Sequence, residues 1–289
     1  LRFKKSINKD KTETMNKLVA YKMDGLGNDF IIFDKRKKSV SLTKEQIIKI
    51  SDRNSIGCDQ VIFIEKDENS NAFLKFYNSD GGEISACGNG SRCVAYLLMM
   101  ENNNNKISLG TKGGILRAEL NEKNLVCINM GQPNFEWDKI PLVKKMDNKN
   151  LKIKISGVDG TEITGGFSLS IGNPHVIFFV EDLNRFDLKE IGLKIEHHNY
   201  FPEKCNVTLA SIKHKNHLKV KVWERGVGLT KACGTAACAT AVSGAILKLS
   251  ERYVDIEFTE GLLNINWKKD NNIYMTGKVS EVKKITVNI

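Results

Sequence analysis

The sequence predicts a protein of mixed α/β or α+β class, built from two similar lobes with one helix entering each lobe. The first observation is a repeat: residues 86–90 (ACGNG) recur as residues 232–236 (ACGTA), and their cysteines lie 146 residues apart. The second is a series of short apolar runs, typical of strands, in both halves. The third is that each half has few segments with helical character.

Three further landmarks support a duplicated unit. Residues 27–33 (GNDFIIF) match 172–178 (GNPHVIF), and residues 78–81 (NSDG) correspond to 223–226 (WERG). Gln60-Val61 and Asn206-Val207 form a weaker match. Four landmarks in one order, at an offset of 145 or 146 residues, indicate an internal repeat. Such halves place equivalent elements on either side of a cleft, where ligands commonly bind.

The elements follow from runs bounded by Gly, Asn and Asp. In the first half the sequence predicts strands at 18–21, 30–33, 61–64, 73–77, 116–120 and 125–128. It predicts helices at 43–51, with Ser41 or Thr43 as N-cap, and after Cys87. In the second half the strands are 166–171, 176–180, 206–212, 218–224, 254–258 and 273–277, with helices at 188–193 and after Cys233. Residues 131–134 are the predicted crossover, and a final strand is predicted at 281–285.

Cys87 and Cys233 each precede a run of small and apolar residues, which predicts a helix start. Unpaired amides and the helix dipole at such a position stabilise a thiolate, so the sequence predicts a lowered pKa for both thiols. The remaining cysteines are interpreted as small buried hydrophobes: Cys58, Cys93, Cys127, Cys205 and Cys238. The spacings from Cys87 to Cys93 and from Cys233 to Cys238 lack paired CxxC knuckles, which argues against a metal site.

Two facing thiols have a specific chemical use. A thiolate on one side of a carbon acid removes the α-proton while a thiol on the other side supplies one, which inverts the centre. The backbone amides at the two helix starts, those of Gly88, Asn89, Gly234 and Thr235, suit the charge that develops on the substrate carboxylate. No motif for a cofactor such as pyridoxal phosphate is evident.

Composition argues against several other classes. The net charge of +10 comes from scattered lysines without interleaved aromatic residues, which argues against a nucleic-acid partner. No apolar run reaches membrane-spanning length. Seven cysteines, an odd number, favour free thiols in a reducing cytoplasm. Residues 1–14 are polar and rich in lysine and are predicted to be a disordered extension before a start near Met15.

From about Met15 to its C-terminus the sequence resembles the diaminopimelate epimerase family. The motifs that carry the resemblance are 22–30 (KMDGLGNDF), 78–81, 86–90, 172–175 (GNPH), 223–226 and 232–235. The resemblance implies a cofactor-independent enzyme that interconverts LL- and meso-diaminopimelate for lysine and peptidoglycan synthesis. It also implies two lobes, each a mixed sheet or barrel around a central helix. The expected lobes are 15–131, joined by the returning segment 278–289, and 132–277, in a cytoplasmic homodimer.

The resemblance also implies roles for individual residues. Cys87 and Cys233 are the acid and base, and for the LL substrate Cys233 is the acceptor and Cys87 the donor. Amide side chains expected to bind substrate are Asn28, Gln60, Asn78, Asn173 and Asn206. Arg225 suits a bidentate grip on the distal carboxylate. Glu224 suits an ammonium group, or together with His175 tunes the ionisation of the thiols.

Three departures from the family pattern stand out. Leu229 and Ala236 replace residues that are commonly Glu and Gly, and the final strand lacks the Tyr that some members use at a dimer contact. Two other functions remain open at this stage. One is a proline or hydroxyproline racemase, whose substrate does not need Asn78, Asn206 and Arg225. The other is a non-catalytic basic protein that binds RNA or senses redox state through its thiols.

Overall fold

The computed structural model describes residues 17–289, so the predicted extension at residues 1–14 lies outside the described part of the chain. The first-half strands are β1 (Lys17–Asp24), β2 (Asp29–Asp34), β3 (Gln60–Glu65), β4 (Ala72–Asn78), β5 (Glu83–Ile84), β6 (Lys106–Thr111), β7 (Gly114–Leu120) and β8 (Val126–Asn129). The helices of this half are α1 (Lys44–Ser51) and α2 (Gly88–Asn102).

Within the described residues, the second half has ten strands and two helices, against eight strands and two helices in the first. Its strands are β9 (Ile153–Ser156), β10 (Glu162–Gly165), β11 (Phe167–Ser170), β12 (Pro174–Phe179), β13 (Asn206–His214), β14 (His217–Glu224), β15 (Gly228–Thr230), β16 (Tyr253–Phe258), β17 (Gly261–Trp267) and β18 (Ile273–Gly277). The helices are α3 (Leu188–Glu196) and α4 (Gly234–Ile246), with a 3-10 turn at Leu183–Arg185. The last strand is β19 (Lys283–Asn288).

The strand pairing of the first half recurs in the second. β1 to β2 is antiparallel, β2 to β3 parallel, β3 to β4 antiparallel and β4 to β6 parallel, followed by antiparallel β6, β7 and β8. The same order joins β11, β12, β13, β14, β16, β17 and β18. This equivalence confirms the two similar lobes that the sequence repeat predicts.

Two pairings connect the halves. β8 pairs antiparallel with β18, which brings Ile128 opposite Met275. β19 pairs antiparallel with β1, with Ile285 opposite Ala20, so the last strand returns to the sheet of the first half. The limits 15–131 and 132–277 for the lobes stay a prediction.

Each lobe closes around one helix. The sequence of α4, GTAACATAVSGAI, consists largely of small residues, and the helix is buried on nearly all sides between Gly234 and Gly244. Small side chains let the surrounding strands approach a helix backbone closely, which explains this composition. Helix α2 buries Cys93, Val94 and Leu98 in the equivalent core of the first lobe.

The shorter helices α1 and α3 contribute to two further apolar clusters. Thr43 caps α1: its hydroxyl accepts from the Gln46 amide, while the Gln46 side chain accepts from the Thr43 amide. This capping box confirms the predicted helix start. Among residues 17–289 no helix is long and apolar enough to cross a lipid bilayer.

Several strands are not marked clearly in the sequence. β6 contains Gly110 in a buried position, against which Phe73 and the Asp67 carboxylate pack. β17 alternates buried residues with the polar Asn264 and Asn266. Strands β5, β9, β10 and β15 are two to four residues long. Such segments carry too few apolar residues to predict a strand on their own.

Candidate active site

The N-termini of the two central helices open into one cleft of about 1470 Å³. Cys87 is the N-cap of α2 and Cys233 is the N-cap of α4, both with extended backbone angles. The predicted placement of both thiols at helix starts is therefore confirmed. Cys87 is half-buried and Cys233 is 6% exposed. All seven cysteines are free.

Polar residues from equivalent positions of the two lobes lie near these thiols. Asn28 and Asn173 directly precede β2 and β12, while Gln60 and Asn206 begin β3 and β13. Asn78 ends β4 and Glu224 ends β14. Because the lobes share one strand order, each pair occupies the same edge of its sheet. The repeat in the sequence thus becomes a set of matched side chains beside the two helix starts.

The side chain of Asn28 is oriented by charged neighbours. Its Nδ2 donates to Asp59 Oδ2 at 2.8 Å, and Arg53 bridges Asp59 and Asp29. A carboxylate only accepts hydrogen bonds, so the amide turns its Oδ1 away from Asp59. That oxygen lies 3.9 Å from Cys87 Sγ. The contact suits a protonated Cys87 thiol as a weak donor.

A chain of polar groups leads to the second thiol. His175 Nε2 lies 2.9 Å from Asn173 Oδ1, and Asn173 Nδ2 donates to Thr235 Oγ1 at 3.4 Å. Thr235 Oγ1 lies 3.5 Å from Cys233 Sγ. Burial and the nearby Arg225 lower the pKa of His175 to about 3, which keeps the imidazole neutral at physiological pH. His175 therefore reaches Cys233 through Asn173 and Thr235.

Both thiols have raised pKa values in the substrate-free protein, which favours their protonated form at neutral pH. Burial raises the pKa of Cys87 to about 11, and the charge of Glu224 adds to this effect. Burial and Glu224 also raise the pKa of Cys233 well above its usual range. The amides of Gly90 and Asn89 act on Cys87 in the opposite direction. The expectation that the helix N-termini lower both pKa values is wrong, because the cost of desolvating a thiolate exceeds the stabilisation by the amides.

We expect alkylation of Cys87 by iodoacetamide in the substrate-free protein to accelerate up to a pH of about 11. The reacting species is the thiolate, so below the pKa the rate should rise about tenfold per pH unit. Mass spectrometry of the peptide containing Cys87 measures the rate, with Cys87→Ala as the blank. A rate that levels off near neutral pH would mean that the helix start outweighs burial.

Met275 separates the starts of the two helices. A Cβ placed on Gly88 would lie 3.0 Å from the Met275 methyl carbon, and one on Gly234 would lie 2.9 Å from its sulfur. Side chains at these two positions would displace Met275 and push the helix ends apart. Glycine at both sites therefore permits the close approach that brings the two sets of amides into one cleft.

The family assignment follows from comparison with known proteins. The model for diaminopimelate epimerase matches residues 20–136 and 167–282. A protein from Pelagibacter ubique named diaminopimelate epimerase is 53% identical over 270 residues, covering 93% of this chain and 98% of its own. The chain belongs to the diaminopimelate epimerase family. The resemblance stated from the sequence motifs is thereby confirmed, and with it membership in a family of isomerases.

Solved structures with the same fold are more distant in sequence. A phenazine biosynthesis protein of the PhzF family from Bacillus anthracis has a TM-score of 0.67 at 17% identity, covering 95% of this chain and all of its own. A hydroxyproline epimerase from Agrobacterium vitis has a TM-score of 0.62 at 11% identity, covering 94% and 93% of the respective chains. These likenesses confirm the fold class.

Most of the residues that the diaminopimelate epimerase motifs indicate line the cleft. They are Asn28, Gln60, Asn78, Cys87, Gly88, Asn89, Asn173, Glu224, Cys233, Gly234 and Thr235. Asn206 is buried behind this surface, where its Nδ2 donates to the Pro174 carbonyl and its Oδ1 accepts from the Arg225 amide. The Arg225 side chain is exposed and donates to the Glu203 carbonyl at 3.0 Å. The binding roles of all the residues named in this paragraph stay predictions.

Glu196 is a residue that the sequence motifs of this epimerase family do not indicate. It ends α3 and is 3% exposed. Its carboxylate accepts from Trp223 Nε1 at 2.7 Å and from the Gly226 amide at 3.0 Å. These two bonds hold the chain on either side of Glu224 and Arg225. Nothing in the sequence around Glu196 indicates this contact, since it joins residues that are 27 to 30 positions apart.

We expect Glu196→Gln to lower the free energy of unfolding by about 1–3 kcal/mol. A glutamine accepts through one oxygen only, so its amide group would face the N–H donor of either Trp223 or Gly226. Urea denaturation measures the change. The matched control is Glu190→Gln on the same helix, because Glu190 is exposed and pairs with the exposed Lys194. An exposed ion pair contributes little, so Glu190→Gln should change the free energy of unfolding only slightly. A loss as large as that of Glu196→Gln would contradict the stabilising role of the Glu196 hydrogen bonds.

Proposed function

We propose that this protein converts LL-diaminopimelate to meso-diaminopimelate without a cofactor, in lysine and peptidoglycan precursor synthesis. The observation that carries the proposal is that the two N-cap thiols, one from each lobe, share one cleft. The family match favours this substrate over proline or hydroxyproline, since the racemase fold is shared but the family model is specific. A proline-like substrate would also have no use for Asn78, Asn206 and Arg225, the residues proposed for the second amino-acid head.

The reaction proceeds by two proton transfers. A thiolate at Cys233 takes the α-proton of the LL substrate, and the Cys87 thiol gives its proton to the opposite face of the carbon. In the reverse direction the two thiols exchange roles. Burial raises the pKa of the Glu224 carboxyl, and its contact with the Cys233 thiol makes Glu224 the group placed to receive the Cys233 proton. His175 would tune the same thiol through Asn173 and Thr235.

Substrate binding uses groups at both helix starts. The amides of Gly88, Asn89, Gly234 and Thr235 would hold the α-carboxylate, on which charge develops as the α-proton leaves. Gln60 Nε2 donates to Asn78 Oδ1, and Gln60 Oε1 is buried without a hydrogen-bond partner within residues 17–289. That oxygen is a suitable acceptor for a substrate ammonium. Asn28, Asn173, Asn206 and Arg225 complete the proposed set.

The test is to incubate stereochemically pure LL-diaminopimelate in heavy water with the purified protein and no added cofactor. We expect deuterium at the α-carbon and formation of the meso isomer, measured by NMR and chiral chromatography. Parallel incubations contain L-proline and trans-4-hydroxy-L-proline. Turnover of either with an inert diaminopimelate would contradict the proposal and favour the racemase function. No deuteration of any substrate would favour a non-catalytic thiol protein.

We further propose a cytoplasmic homodimer, which rests on the likeness to the family. Multi-angle light scattering should then give twice the chain mass of 32.4 kDa. A mass that stays at the monomer value across the concentration range would contradict the dimer. Fractionation of cells with an antibody against the protein tests the location.

A further inference from the structure

Arg92 is a cation in the interior of the protein, on the first turns of α2. It is 0% exposed, and among residues 17–289 it forms no ion pair with a carboxylate. Its Nη1 donates to Asn89 Oδ1 at 2.9 Å and lies 3.7 Å from Met275 Sδ. Its Nε and Nη2 are buried without an acceptor in the described part of the chain. Burying an unpaired charge is costly, which calls for a compensating role.

The neighbours of the guanidinium place it where the two central helices meet. A Cβ on Gly277 of β18 would lie 2.6 Å from Leu263 Cδ2 and 3.3 Å from Arg92 Cζ and Nε, so this glycine leaves room for both side chains. Met275, which contacts Arg92, also packs against Gly88 and Gly234 at the two helix starts. Asn89 Oδ1, in turn, lies 3.8 Å from the Cβ position of Gly234.

The contact with Arg92 determines which way the Asn89 amide faces. A guanidinium has donors only, so the group that meets Arg92 must be the amide oxygen. The Nδ2 group is then on the other side of the amide, and none of the hydrogen bonds among residues 17–289 uses it. Asn89 lines the cleft beside Cys87 and Gly88. Its free donor therefore belongs to the surface that faces a ligand.

We propose that Arg92 is a positioning residue, which holds the Asn89 amide so that Nδ2 is available to the substrate carboxylate. This inference rests on the proposed function. Without the guanidinium the amide is free to turn, and its oxygen would then meet a carboxylate with like partial charge. Arg92 itself does not line the cleft and acts through Asn89.

The test is a double-mutant cycle with Arg92→Met, Asn89→Ala and the combined variant. Arg92→Met keeps much of the side-chain volume and removes every donor. We expect each single substitution to raise KM for LL-diaminopimelate, with a loss in kcat/KM on the order of 10²-fold. The combined variant should lose no more than the worse single variant, because both remove one interaction. Losses that multiply would overturn the proposal.

Arg92→Lys provides a second measure if Arg92→Met does not fold. It keeps a charged donor, so we expect a smaller rise in KM and the same absence of multiplication with Asn89→Ala. The matched control is Leu98→Ala, a buried substitution on the same helix that faces the lobe core. It should lower thermal stability and leave KM unchanged. A KM that rises in Leu98→Ala as much as in the Arg92 variants would overturn the positioning role.

A readout without turnover separates this inference from the proposed function. If the wild-type protein does not deuterate diaminopimelate, the proposed function fails, and the Asn89 side-chain amide is then followed by NMR. We expect its Nδ2 resonances to shift in Arg92→Met or Arg92→Lys and to stay in place in Leu98→Ala. Unchanged resonances in the Arg92 variants would overturn the inference.

Discussion

Replacing either Cys87 or Cys233 with alanine is expected to reduce meso-diaminopimelate formation by roughly 10²- to 10⁴-fold. Each thiol serves one face of the α-carbon, so neither can replace the other. The effect should appear in kcat rather than in KM, since the backbone amides at both helix starts remain. Deuterium incorporation and chiral chromatography of the product, at equal protein concentration, measure the loss.

The matched controls are Cys93→Ala and Cys238→Ala. Both residues are fully buried, and each lies one turn or more beyond the N-cap on the same helix as a proposed catalytic cysteine. Their substitution removes a thiol of equal size from the same two helices while the cleft is unchanged. We expect wild-type turnover from both. Full activity in Cys87→Ala or Cys233→Ala would contradict the two-thiol mechanism.

The repeat made much of the fold predictable. Because Cys87 and Cys233 occur at equivalent places of a duplicated sequence, the repeat predicts the two lobes. The small and apolar residues after each cysteine predict the central helices. The return of β19 to β1 does not, since it pairs Ile285 with Ala20 across almost the whole chain. Strands such as β6 and β17 owe their existence to neighbouring strands, because their own residues include Gly110 and Asn264 within the ladder.

The parts of the site that lie within short sequence motifs, above all the two cysteines, were predictable. The spacing around both cysteines placed them at helix starts, but their ionisation depends on how deeply packing buries them. Burial is a property of the whole fold, and it reverses the expected direction of both pKa shifts. Likewise Arg53 contacts Asp29, 24 positions away, and Glu196 contacts residues 27 and 30 positions away. Arg92 bonds Asn89 on its own helix, but its burial depends on Met275, 183 positions away.

Arg225 is the residue whose proposed role requires the largest change from the structure described. Its guanidinium donates to the Glu203 carbonyl, at the surface, and its backbone amide is fixed by Asn206. Exchanging one backbone carbonyl for a carboxylate replaces a neutral acceptor by a charged one, which strengthens the bond. The Arg225 side chain would therefore form a stronger hydrogen bond by leaving the Glu203 carbonyl when a distal carboxylate is present.

We expect Arg225→Met to lower kcat/KM for LL-diaminopimelate roughly 10- to 150-fold, mainly through KM, as the loss of a charged hydrogen bond predicts. The kcat/KM of Arg225→Lys should lie between those of Arg225→Met and the wild type, because lysine keeps the charge but not the planar pair of donors. The control is Arg117→Met, at an exposed position on β7 away from the cleft, which should leave both constants unchanged.

A substrate without the distal carboxylate separates binding from support of the fold. L-lysine has the same α-centre, so slow α-deuteration of lysine by the wild type should be unaffected by Arg225→Met. If the variant loses lysine exchange in proportion to diaminopimelate turnover, Arg225 acts by holding the segment around Glu224 and not by binding the distal carboxylate. An effect confined to diaminopimelate would place specificity in the residues by which the second lobe differs from the first. The acid–base pair would then belong to the duplicated part of the site, and the recognition of the second amino-acid head to its divergence.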